Sequence, residues 1–198
     1  MKRIVLLLLV LALGCTTLSG YRILYAEQYY RLFHLHFYRY PDDCMENIHY
    51  LEEALKADFC NPLYALAEIR DKRQWERYRY LFRMHVNLLL IRQYLRLGSG
   101  WDKQVAYFYN APWKEQNLKS LDTAEEIYRV ALHYWDQALK WSGEVKNVRL
   151  HLESAQFWED EHYRIETGEL DYSMIIRGHL DRLQRVRETF ENMAETTY

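Results

Sequence analysis

Seven glycines, three prolines and three cysteines in 198 residues leave this chain with little punctuation and little to staple it. Scarcity of Gly and Pro disfavours many short strands joined by tight turns and suits long helices. Beyond Cys15 only Cys44 and Cys60 remain, so a disulfide scaffold is excluded. If one helix joins them, they lie about 24 Å apart, whereas a bridge spans at most ~7 Å. They read as buried thiols or as an occasional intermolecular link. No segment alternates apolar and polar residues long enough to make a half-buried strand. A Gly-rich phosphate loop, a dinucleotide fingerprint and a Cys-x-x-Cys pair are all missing, and Ser19-Gly20 and Gly98-Ser99-Gly100 lack the strand that a nucleophile elbow needs. With 26 basic and 28 acidic residues and no Lys/Arg cluster, nucleic acid is not an expected partner.

What is plentiful is aromatic: 18 Tyr, 7 Phe and 6 Trp, enough to fill gaps between helices while each Tyr keeps its hydroxyl at an edge. Apolar positions recur at helical period almost throughout, so the expected fold class is all-α. Tyr21 to Tyr40 reads as a first helix stopped by Pro41. Asp43 with Glu46 forms a capping box for a second, whose stripe is Met45, Ile48, Leu51, Ala54 and Leu55. Asn61-Pro62 starts the next helix, and a long helical region follows through Trp75, Leu81, Leu88 and Tyr94, ended by Gly98 to Gly100. Residues 98–120 read as an insertion with a short helix near Trp101–Tyr109, and Asp122 with Glu125 as a second capping box. That helix runs to Trp141, with Gly143 just past its end. Helices over about 145–167, closed by Gly168, and about 171–193 finish the chain.

The start, MKRIVLLLLVLALGC, has Lys2 and Arg3 ahead of an apolar run from Ile4 to Leu13. Such a run is a targeting segment, too short to span a bilayer, which takes about 20 apolar residues. Ala12-Leu13-Gly14-Cys15 resembles the lipobox of bacterial lipoproteins, in the relaxed form of spirochaetes. The resemblance implies a signal peptide over 1–14, lipidation of Cys15, a tether over 15–20 and a helical domain over 21–198. Loss of Lys2 and Arg3 moves the formal charge from −2 to −4.

The segment HYLEEALK, His49 to Lys56, returns 84 positions later as HYWDQALK, His133 to Lys140. Tyr21 to Tyr40 can likewise be laid on Tyr78 to Leu97. The chain therefore reads as a helix pair written twice, over about 21–58 and 78–141. Ala131, Trp135 and Ala138 resemble the small–aromatic–small signature of tetratricopeptide repeats, and Asn47, Leu51 and Ala54 are a weaker copy. A small residue there lets two helices approach while a large one fills the gap beside it. The family's Trp-Leu-Gly-Tyr signature is missing, with only Tyr38 and Leu95 at its aromatic place, and its spacing of 34 residues is not kept. The resemblance implies stacked helical hairpins whose first helices line a partner-binding face, here Tyr29, His36, Arg39, Gln93 and Arg96.

Glu46-x-x-His49 and Glu159-x-x-His162 put a carboxylate and an imidazole on one helical face each, the layout of a carboxylate-bridged metal bundle. The further glutamates such a site needs are not on apolar stripes, so neither metal nor cofactor is expected. His34 and His36 flank Leu35, point to different faces, and read as edge or groove residues. The expected role is a membrane-anchored, non-enzymatic scaffold that docks another protein, on the periplasmic side of a bacterial membrane or at the cell surface. Similarity to spirochaetal periplasmic proteins adds the flagellar-motor collar as a setting. The alternative is a ligand-binding accessory lipoprotein of a transport system.

Overall fold

The computed structural model describes residues 22–103 and 113–194. Six helices lie within them: α1 (Ala26–Arg39), α2 (Cys44–Lys56), α3 (Lys72–Ser99), α4 (Lys114–Asn147), α5 (Gln156–Glu166) and α6 (Tyr172–Glu191). Single 3-10 turns at Pro62–Tyr64 and Glu153–Ala155 interrupt the links. No strand occurs among the described residues, as an all-α chain requires. The leader, Cys15 and the 15–20 tether lie outside the described residues, as does most of the Trp101–Tyr109 helix expected in the insertion.

Local chemistry sets several boundaries where the sequence indicates them. Asp43 caps α2 by accepting from the Glu46 N–H at 3.2 Å, and Asp171 caps α6 by accepting from the Ser173 N–H at 2.8 Å. α1 stops one residue before Tyr40-Pro41. Gly168, just beyond α5, holds φ +76°, a backbone state that a Cβ disfavours.

Elsewhere the boundaries move, each for a visible reason. α1 begins at Ala26 rather than Tyr21, because the Gln28 side chain turns back to accept from the N–H groups of Leu24 and Tyr25 at 2.8 and 3.1 Å. Asn61-Pro62 starts only one 3-10 turn. Downstream, the Leu66 N–H donates to the Tyr78 hydroxyl at 3.2 Å and the Glu68 N–H to Ser154 Oγ at 3.1 Å, which replaces helical bonding. Asp122 and Glu125 cap nothing: both lie inside α4 and take the two arms of the Arg187 guanidinium. Gly143 likewise sits within α4, which continues to Asn147. The end is set from outside, where Arg77 Nη1 donates to the carbonyls of Val145 (3.1 Å) and Val148 (2.7 Å). The helix expected over about 145–167 is therefore interrupted by a link over 148–155, and α5 spans only 11 residues.

α3 is the axis. Met84 to Ile91 is buried without a break, and a helix apolar on every side belongs inside a protein. α2 and α4 run antiparallel to it, as contacts from Asp42–Arg96 to Phe59–Phe82 and from Tyr128–Gly98 to Val145–Arg77 show. α1 runs parallel to α3, with Glu27 at Tyr78 and Tyr30 at His85. α5 crosses the face of α3 that carries Arg77 and His85, and α6 returns along α4. The paired segments match in burial at His49 and His133 (exposed), Leu51 and Trp135 (buried), Ala54 and Ala138 (buried) and Lys56 and Lys140 (exposed), whereas Leu55 is half-buried and Leu139 exposed. Met45 breaks the expected α2 stripe, being 66% exposed. The two pairs differ in length, 14 and 13 residues against 28 and 34. Among the described residues no helix is long and apolar enough to cross a membrane.

Candidate functional site

Placing a histidine in the apolar run of α3 obliges the fold to find it partners, since a bare buried imidazole loses its bonds to water. His85, buried in the core, has both ring nitrogens engaged. Nε2 lies 3.0 Å from the Tyr30 hydroxyl of α1 and Nδ1 2.6 Å from Glu161 Oε2 of α5. The other oxygen of Glu161 accepts from Arg92 Nη2 at 2.7 Å, and Arg92 Nε donates to the Tyr172 hydroxyl at 2.9 Å. The His85 ring also stacks on Trp158, at 5.4 Å between centroids. One chain of polar groups thus ties α1, α3, α5 and α6 together.

Tyr30 also faces outward. With Leu66, Ala67, Ala155, Phe157 and Trp158 it lines an open cleft of about 280 Å³ between the 61–70 link and the start of α5. Hydroxyl, imidazole and carboxylate in that order resemble a nucleophile, its base and an orienting group. Burial pushes the Tyr30 phenol up to about 12, so its proton stays on the oxygen at neutral pH. Glu161 is meanwhile shared between an imidazole and a guanidinium, which fixes both. The arrangement serves to lock the rear wall of an apolar cleft.

The same pairing recurs through the core. Glu27 accepts from the Tyr78 hydroxyl at 3.3 Å and from the Cys60 N–H at 2.9 Å. Glu52 accepts from both Tyr94 (2.8 Å) and Tyr134 (2.9 Å), and Asp102 from Tyr128 (2.7 Å) and from Arg182. Each carboxylate sits between helices and each is met by a phenol. Cys44 and Cys60 are free and buried, and burial beside Glu27 pushes the Cys60 thiol up to about 12, so it is inert.

The five residues expected to share a partner-binding face do not share one. Tyr29 is half-buried against the core. His36 turns toward α2, with Nδ1 3.1 Å from Asn47 Oδ1. Arg39 is exposed on the outer side of α1, and Arg96 pairs with Asp42 at the α1–α2 turn. Gln93 is 3% exposed and so offers nothing to a partner. Of the paired Glu-x-x-His motifs, Glu159 is clasped by Arg77 through Nε at 2.6 Å and through Nη2, and accepts from the Leu152 N–H at 2.8 Å. His162 Nδ1 meets Ser142 Oγ at 2.8 Å. His34 packs edge-on against Tyr30 and Phe33 while His36 faces away from it.

Residues 73–193 match a family model described as a domain of unknown function (DUF8513). The chain belongs to that family. The matched stretch carries α3 to α6 nearly entire, with His85, Arg92, Glu161 and Tyr172, whereas α1 and α2 precede it. Neither a curated protein nor a solved structure matches the chain.

Tyr30, His85 and Glu161 were not singled out by spacing. The one available signal was the imidazole of His85 set among Met84, Val86 and Leu88, a polar group that must be bonded where it is buried.

Proposed function

We propose that this DUF8513 protein is a non-enzymatic scaffold of tetratricopeptide-like hairpins, tethered through acylated Cys15 on the periplasmic side of a bacterial membrane or at the cell surface. The observation that carries the reading is the cleft beside Tyr30. It is open, walled mostly by apolar side chains and braced from behind by the His85–Glu161–Arg92 chain, with Phe157 59% exposed at its rim. A rigid apolar notch with an exposed aromatic rim suits side chains of a docking protein segment. A transport accessory that holds a small molecule would instead need a pocket that encloses it, and enclosing pockets run from about 300 to 1,000 Å³. The open cleft favours the scaffold.

Capture on the purified chain after gentle detergent extraction tests this. One stoichiometric protein is expected with the wild type. Phe157→Ser should lose it at an unchanged melting temperature. Undiminished capture by the variant would place the docking face elsewhere, and a small molecule retained in place of a protein would favour the transport accessory.

A further inference from the structure

The side of α1 that faces solvent carries large apolar side chains in line between arginines. Ala26 and Phe33 bury the opposite side, and Arg31, Leu35 and Tyr38, at spacings of four and three, line the outer one. Leu35 is 64% and Tyr38 89% exposed, and Leu24, just ahead of the helix, is 47% exposed. Arg31, Leu35 and Tyr38, together with Tyr30, His34 and Arg39, border a shallow groove of about 660 Å³. Exposed apolar side chains this large, in line on a helix that packs perfectly well without them, need an occupant.

Charge identifies it. Arg22, Arg31 and Arg39 are exposed along this segment, and the single acid between residues 22 and 40, Glu27, is buried against Cys60 and Tyr78. The chain as a whole carries formal charge −2, so a stretch with three outward cations and no outward acid is a local reversal. Asp42 and Asp43, past the end of α1, are taken up by Arg96 and by the α2 cap, which leaves Asp58, exposed and bonded through its carbonyl to the Ala26 N–H, as the one acid beside the start of the helix. Arginines flanking Leu and Tyr are the pattern of a helix lying in a membrane interface, cations toward the headgroups and rings at the acyl boundary. Arg22 follows Cys15 by seven residues, a reach of at most roughly 25 Å.

We propose that the outer face of α1 lies on an anionic bilayer surface, so that the molecule is held in one orientation with the Tyr30 cleft at the edge of the contact. The proposal rests on membrane attachment at the N-terminal end and adds a defined face to it. Anchoring by one lipidated residue leaves a domain free to swivel, and a second, electrostatic contact fixes it.

The test uses the full chain reconstituted in vesicles, with Tyr38→Cys carrying a fluorophore. Cys44 and Cys60 are buried and should not take the label. Labelling of the chain without Tyr38→Cys reports on Cys15: no uptake is expected if it is acylated, and uptake or failure to attach to vesicles would undo the anchoring premise instead of the orientation. On vesicles of phosphatidylglycerol and phosphatidylcholine, nitroxide-bearing lipid should quench position 38 several-fold more than aqueous iodide does. Phosphatidylcholine alone should reverse that order, as should Arg31→Glu with Arg39→Glu, at an unchanged melting temperature. A Met174→Cys label on α6 should stay accessible to iodide throughout. Attached protein whose position 38 remains open to iodide on anionic vesicles overturns the proposal.

Discussion

Glu159 shows what a residue's neighbours in sequence leave unsaid. With His162 it makes half of an apparent metal-bundle pattern, yet its partner is Arg77, 82 positions earlier, and spacing cannot reveal a pair so distant. Both side chains are nearly enclosed, and the guanidinium also closes the end of α4 through the Val145 and Val148 carbonyls. Removing one charge from a buried pair strands the other, at a cost of about 3–5 kcal/mol. Glu159→Gln keeps the shape and the acceptor for the Leu152 N–H but leaves Arg77 uncompensated. Urea unfolding should show a loss in that range. A loss under about 1 kcal/mol would mean that water reaches the pair and that α4 is terminated by something else.

At the level of elements, three glycines argue the point. Gly98 was legible as the end of α3 but not as a packing residue. A Cβ there would meet the buried Tyr128 ring at 2.5 Å, and that ring cannot swing away while its hydroxyl is bound to Asp102. Gly98→Ala should therefore destabilise by about 1–3 kcal/mol, as overpacking does. Gly143, read as a stop, lies inside α4 with open space around it, so Gly143→Ala should stabilise by about 0.5–1 kcal/mol. Opposite shifts of melting temperature for the same substitution would confirm that close approach, not helix ending, sets the need for Gly98. Gly168 behaves as its place in sequence indicates, at positive φ just past α5. The contrast explains which features could be read in advance. Helix existence, the cap at Asp43, and the burial of Ala54 and Ala138 follow from local period and local hydrogen bonding. The true limits of α4 and the Tyr30–His85–Glu161 chain depend on groups contributed by other helices.

For the molecule as a whole, the abundance of tyrosine becomes a prediction about pH. Phenols bonded between the helices hold their protons in the fold: burial, the largest cause, pushes Tyr30, bonded to His85, and Tyr94, bonded to Glu52, up to about 12, and Tyr78, Tyr128 and Tyr134 also move up. In the unfolded chain a phenol titrates at about 10. Between about 10 and 12 the unfolded state therefore binds fewer protons than the folded one, and stability falls as pH rises. The histidines work in the opposite direction at the acid end. Burial moves His34, His162 and His179 down from their ordinary value. The unfolded chain then takes up protons first as pH drops through about 6.5, and stability falls there too. Urea midpoints across pH should thus form a plateau between about 7 and 10 with a decline on each side. Tyr94→Phe should shallow the alkaline decline, since it removes one raised phenol, while Tyr134 continues to serve Glu52. A midpoint that stays level to pH 12 in the wild type would mean that the phenols titrate in the fold as they do in water, and that the carboxylate–tyrosine pairs do not hold these helices together.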